Sequence, residues 1–156
     1  MDAGPLLRSV ARALVACKLE AILIGNAAAA LHGAPVTTLD FDFMFRSTPA
    51  NRTKLKKLAK ELDATVFRPY YPVSGLFRIL NETGSLQLDF LPAIAGIKSF
   101  ASLRSRATEM EIGTSRLLVA DLGDIIKSKR TAGRPKDKAV LPVLEVTHEQ
   151  AKKNKA

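Results

Sequence analysis

Two aspartates, Asp40 and Asp42, alternate with apolar residues in the run Leu39-Asp40-Phe41-Asp42-Phe43-Met44-Phe45. Alternate side chains of a β-strand point the same way. A strand here sets both carboxylates on one face and Leu39, Phe41, Phe43 and Phe45 on the other. Aspartate is disfavoured in strands, and two adjacent carboxylates repel. A hard divalent cation such as Mg²⁺, which takes oxygen ligands, removes that repulsion. The structural alternative is a half-solvated strand with its charges in water. A third carboxylate suits the same chemistry. In Leu86-Gln87-Leu88-Asp89-Phe90-Leu91, alternation places Gln87 and Asp89 on one face and Leu86, Leu88 and Phe90 on the other. If that strand lies beside the first, three carboxylates converge. Such a trio can hold two metal ions that clamp the attacking and leaving oxygens of phosphoryl or nucleotidyl transfer.

A phosphate site is also predicted. Gly25-Asn26 falls between the end of an apolar strand, Ala21-Ile22-Leu23-Ile24, and an alanine-rich helix through Leu31 with Asn26 as its N-cap. Such a junction offers unpaired backbone N–H groups and the positive end of a helix dipole, and glycine allows close approach. The stretch from Asn26 to Asp40 is long enough for one helix and a return loop, which brings the aspartates back beside the junction if the two strands are neighbours. Further along, a helix from Asp121 carries an apolar stripe at Leu122, Ile125 and Ile126, and Lys129 falls in the middle of that stripe. An inward lysine either snorkels past the core edge or meets an anion, because a buried charge needs a partner. Asp137 is one candidate partner; its other reading is a carboxylate stabilising the first turn of a helix.

The elements that must position these groups follow from periodicity and punctuation. Helices are expected over about 5–16, 26–31, 50–62, 121–131 and from Pro135 to about Glu145, with a poorly determined stretch at 97–106. Strands are expected at 21–24, 39–45, 65–67, 76–81, 86–91, 108–112 and 116–119, with hairpin turns at Glu82-Thr83-Gly84-Ser85 and Gly113-Thr114-Ser115. That order predicts an α+β fold, a mixed β-sheet with helices packed on one side. Residues 1–150 are expected to form a single domain, and 151–156 a basic disordered tail.

Taken together, the strand, the Gly-led turn, the helix, Asp-x-Asp on a strand and a later strand Asp resemble the DNA polymerase β-like nucleotidyltransferase superfamily. The resemblance is nearer to its small prokaryotic domains. It is carried by Ile24-Gly25-Asn26-Ala27-Ala28, Leu31-His32-Gly33, Thr38-Leu39-Asp40-Phe41-Asp42 and Ser128-Lys129-Arg130-Thr131-Ala132-Gly133-Arg134-Pro135-Lys136-Asp137, within roughly 20–145. Some of those domains are toxins of toxin–antitoxin systems, so an antitoxin or other partner chain is implied as an option. The resemblance implies transfer of a nucleoside monophosphate from an NTP to a hydroxyl of RNA, protein or a small molecule. It implies two Mg²⁺ ions on Asp40, Asp42 and Asp89, with Asp89 also activating the acceptor, and nucleotide contacts from Gly25, Asn26, Thr38 and Lys129. Asn26 stands where the superfamily usually has Gly or Ser, and Val36 where relatives often have Arg. Those departures motivate an alternative, an inactive module on the same fold that binds nucleic acid or a partner protein.

Composition is consistent with either reading. The 156 residues carry a formal net charge of +9, which attracts polyanions such as tRNA or other nucleic acid. Arg130, Arg134 and Lys136 are the candidate polyanion contacts. Cys17 is the only cysteine, so neither an internal disulfide nor a thiolate cage can form. No apolar run approaches a membrane span and the N-terminus does not read as a signal peptide, which together lead to an expected cytoplasmic location and no membrane partner. His32, at a helix end with no second ligand nearby, reads as structural, and Tyr70-Tyr71 either stack a base or pack a loop.

Overall fold

The structure, a computed structural model, describes residues 4–38 and 40–155. Among them six helices and seven strands are arranged as α+β around one mixed sheet, as the sequence predicts. In chain order they are α1 (Gly4–Cys17), β1 (Ala21–Ile24), α2 (Gly25–Leu31), β2 (Phe41–Phe45), α3 (Pro49–Glu61), β3 (Thr65–Phe67), β4 (Phe77–Leu80), β5 (Gln87–Leu91), α4 (Phe100–Arg106), β6 (Thr108–Ile112), β7 (Ser115–Val119), α5 (Leu122–Ala132) and α6 (Pro135–Lys155).

The sheet order is β3-β4-β5-β2-β1-β7-β6. The two central aspartate-bearing strands, β2 and β5, run parallel, with Asp42 directly opposite Asp89. On the other side of β2, β1 is antiparallel and places Ile24 opposite Asp42. The residue after Ile24 is Gly25, so the glycine bend and the two strand aspartates meet at one end of the sheet centre.

Alternation puts the strand acids on the face opposite the aromatic core. Phe41, Phe43, Phe45, Leu88 and Phe90 are buried. Phe43 and Phe90 stack with centroids 5.1 Å apart, and Phe45 meets Phe77 edge-on at 5.8 Å. Burying each such ring contributes roughly 2–3 kcal/mol. This aromatic layer fixes the register of β2 on β5, because a one-residue slip would turn the rings out and the carboxylates in.

Several boundaries differ from the sequence reading. β2 begins at Phe41, so Asp40 lies just before the strand, and Leu39 falls outside the described residues. Helix α2 begins at Gly25 with Ile24 as a cap that makes no side-chain bond, so Asn26 is inside the first turn and not the N-cap. The uncertain stretch at 97–106 forms α4, started by Ser99, whose hydroxyl accepts from the Ser102 N–H at 3.0 Å. Helix α6 does not stop near Glu145: it runs to Lys155, so 151–155, expected as a disordered tail, continue it. No glycine follows Glu145 to stop the helix, and the lysines of the last turns favour its negative end. His32 is structural, as expected: its Nε2 lies 2.8 Å from the Ala120 carbonyl oxygen, tying the end of α2 to the end of β7.

Candidate active site

A cavity of about 590 Å³ opens over the polar face of the central strands. Its floor is Ile24, Gly25, Asp42, Gln87 and Asp89, and its wall includes Ser128 and Lys129 from α5, Arg134 from the turn after it, and Lys136 from α6. Asp40 also lines it. Three sequence-predicted carboxylates therefore reach one cavity, beside the glycine bend.

Asp42 is the least compensated of them. Among the described residues nothing donates a hydrogen bond to its carboxylate. Burial, then the charges of Asp89 and Asp40, push its pKa up to about 6, while Lys129 and Lys136 pull the other way. Gly25 makes this crowding possible. Its φ is +69°, a conformation most side chains avoid. A Cβ there would also stand 3.1 Å from the Asp42 Oδ2.

Asp89 is in a different state. The Arg78 guanidinium donates from Nε to Oδ1 at 2.8 Å and from Nη2 to Oδ2 at 3.1 Å. Gln87 Nε2 adds a longer bond to Oδ2 at 3.4 Å. Both oxygens of the third carboxylate are thus taken by a guanidinium fork, and among the described residues no three His, Cys, Asp or Glu side chains are placed to hold a metal ion. The three-ligand, two-ion set expected from the sequence does not match this arrangement. The reason is a residue the sequence reading passed over: β4 is antiparallel to β5 and sets Arg78 opposite Asp89. The signal was present in Phe77-Arg78-Ile79-Leu80, where a lone arginine alternates with buried apolar residues on a strand. Asp40 and Asp42 do suit a hard divalent cation, since they supply two carboxylates on a face where like charge already raises the Asp42 pKa.

On the opposite wall, Lys129 Nζ lies 3.7 Å from the Asp137 Oδ1. Asp137 is 1% exposed and is also held by Arg134, Nε to Oδ2 at 2.7 Å. Burial lowers the Lys129 pKa, and Asp137 opposes that. The sequence offered Asp137 as the lysine's partner, and the ion pair forms while Lys129 still faces the cavity. Arg134 and Lys136 line the same space, whereas Arg130 does not: it is exposed and pairs with Glu145 at 2.8 Å. Thr38 and Asn26 do not line it either. The Thr38 hydroxyl donates to the Asp40 carbonyl oxygen at 2.5 Å, shaping the approach to β2. The Asn26 amide oxygen is buried without a hydrogen-bond partner among the described residues. Tyr70, 52% exposed, borders the cavity with its ring centroid 5.8 Å from the Arg78 guanidinium carbon.

No protein-family profile matches this chain, and no curated protein sequence does. Solved structures do. A Thermotoga maritima protein provisionally described as a nucleotidyltransferase superposes with a TM-score of 0.66 at 16% identity, over 88% of this chain and 89% of that one. ANT(2")-Ia, solved in complex with adenylyl-2"-tobramycin, gives 0.62 at 19% identity over 97% and 98%. An antigenic nucleotidyltransferase-like protein from Paracoccidioides brasiliensis gives 0.58 at 14% over 92% and 74%. The chain has the minimal nucleotidyltransferase fold.

Proposed function

We propose that this protein is a nucleotidyltransferase that moves a nucleoside monophosphate from an NTP to a hydroxyl acceptor. The observation that carries the reading is the under-compensated Asp42, set against Asp89 across two parallel strands and against the Gly25 bend in a cavity walled by cations. Asp40 and Asp42 would hold a divalent cation. When bound, it would neutralise charge on the phosphates and on these carboxylates.

The remaining roles belong to the chain's own groups. Lys129, Lys136 and Arg134 face the cavity and suit the phosphate oxygens of the NTP. Tyr70 offers an exposed ring at the rim on which a base can stack. In the reaction the acceptor oxygen bonds to the α-phosphorus. The bond from that phosphorus to the β-bridging oxygen breaks, and pyrophosphate leaves with the electron pair. The acceptor proton goes to Asp89. Arg78 occupies both oxygens of Asp89, so one must be freed before it can take that proton. Release of one oxygen by Arg78 makes Asp89 competent.

The same Arg78 fork favours a second reading, a polyanion-binding module on this fold with no transfer activity. Incubation with α-labelled NTPs, Mg²⁺ and a cellular RNA and protein extract separates the two. Transfer of label by the wild type, lost in Asp42→Asn, is the expected result. If none of the four NTPs labels anything and calorimetry finds no Mg²⁺ binding, the transferase reading is wrong.

A further inference from the structure

A second cavity, also about 590 Å³, adjoins the first. Asp124 lines both. The second is bordered by Gly96, Lys98, Ser102, Arg106 and Lys127. None of these residues belongs to the acidic constellation or to the cation wall of the first cavity.

The electrostatics of this cleft are one-sided. Among the described residues Asp124 is the only carboxylate lining it, and it is buried at 7% exposure. Arg106 Nε donates to the Asp124 Oδ2 at 2.7 Å, and its Nη2 donates to the Ser102 hydroxyl at 3.0 Å. The guanidinium is therefore locked in place, and its Nη1 has no bond among the described residues. Lys98 and Lys127 are exposed, and among the described residues neither ammonium has a carboxylate within ion-pair distance. One anion faces three cations, leaving a surplus of positive charge in a concave space. The cleft's rim also has a backbone surface: Gly96 has φ +76°, and a Cβ there would meet the Thr131 hydroxyl at 2.6 Å.

We infer that this cleft binds the phosphodiester backbone of a polynucleotide whose hydroxyl is the acceptor. The inference rests on the transferase reading, since it assigns the acceptor of that reaction. The NTP phosphates already have Lys129, Lys136 and Arg134 in the first cavity, so the cations of the second are left for the other substrate. The acceptor must reach the acidic floor, and the cleft adjoins that cavity through their shared lining residue Asp124. An aminosugar such as tobramycin carries charge of the same sign as this cleft and is disfavoured there. A net charge of +9 over the chain adds long-range attraction for a polyanion. Arginine and lysine contacts to phosphates place a backbone without reading its bases.

The test uses the full chain, a labelled 12-mer RNA, the matching DNA, and an oligo-glutamate peptide of equal length, read by fluorescence anisotropy. The variant Lys98→Glu/Lys127→Glu changes exposed residues only; Lys152→Glu/Lys153→Glu on α6 is the control for general charge. Expected are RNA or DNA binding that weakens steeply with salt, a loss of ~10-fold or more in the cleft variant, and less than ~2-fold in the control. Asp42→Asn should bind as the wild type does, which separates the cleft from catalysis. If transfer fails but cleft-dependent binding persists, the transferase reading falls and the polynucleotide site stands. If transfer to RNA proceeds with an unchanged KM for RNA in the cleft variant, the inference falls and the transferase reading stands. Equal loss in both double variants, or oligo-glutamate binding as tight as RNA, also overturns it.

Discussion

Two ionic arrangements face each other across the main cavity, and they are opposites. On the helix wall, Asp137 is matched: Lys129 and Arg134 both contact it, at 3.7 and 2.7 Å. Burial alone would raise its pKa, yet the hydrogen bonds from Arg134 and the charge of Lys129 hold it below the ordinary carboxylate range. On the strand floor, Asp42 is mismatched. It faces Asp89 and Asp40, and its pKa rises to about 6. A buried charge with its counter-charge in place supports the fold; one without it weakens the fold until a ligand arrives. The contrast separates an acid the fold has already compensated from one it leaves uncompensated.

The largest effect expected is on catalysis. Asp42→Asn should reduce nucleotidyl transfer by roughly 1,000-fold, the several kcal/mol a metal-held phosphate site is worth. Circular dichroism and the melting temperature should show an intact fold, no less stable than the wild type at pH 7, because the change removes a repulsive charge. A large fall in melting temperature would mean that Asp42 braces the floor as Asp137 braces the wall. Conversely, Asp137→Asn should cost about 3 kcal/mol of unfolding free energy, since it strips a counter-charge from a buried Lys129. Urea denaturation measures this directly.

The contrast also has a pH signature. The folded-state pKa of Asp42, about 6, lies above the ordinary aspartate value of 3.8. The unfolded chain therefore gives up its proton first, and the stability contributed by protonated Asp42 is present below about pH 4 and lost as pH rises through 6. The loss is on the order of 2 to 3 kcal/mol at full ionisation. If Asp42 helps hold Mg²⁺ as proposed, the ion favours the ionised carboxylate, so Mg²⁺ should raise the melting temperature at pH 7.5 and have little effect at pH 4.5. A Mg²⁺ shift equal at the two pH values, or retained in Asp42→Asn, would place the ion elsewhere. The smallest effect belongs to the bend. Gly25→Ala should cost roughly 1–2 kcal/mol from the positive φ and lower transfer as well, because the methyl would crowd the Asp42 carboxylate. If thermal melts show the stability loss and transfer is untouched, Gly25 serves only the turn.

Much of this was legible in one dimension. The alternation of Phe41, Phe43 and Phe45 with Asp42 gave a strand with a core face and a chemical face, and Leu88 and Phe90 with Asp89 did the same. Lys129 stood out because a charge fell in an apolar helical stripe, and its pairing with Asp137 was one of two readings offered. Element ends were harder. Asn26 has the chemistry of a cap, but the helix starts one residue earlier, at Gly25. The helix beyond Glu145 continues because nothing in the sequence stops it, and a basic composition alone does not unfold a helix end.

What the chain determined unaided was which side chains share a face, because side-chain period is a local property of strand and helix geometry. What the tertiary structure decided was who stands across from whom. The pairing of β4 with β5 puts Arg78 on Asp89, and the seating of α4 near α5 locks Arg106 on Asp124. Strand order and helix packing arise from the burial of the whole core, and no local pattern encodes them. That is why Asp89 was readable and the arginine that holds it was not.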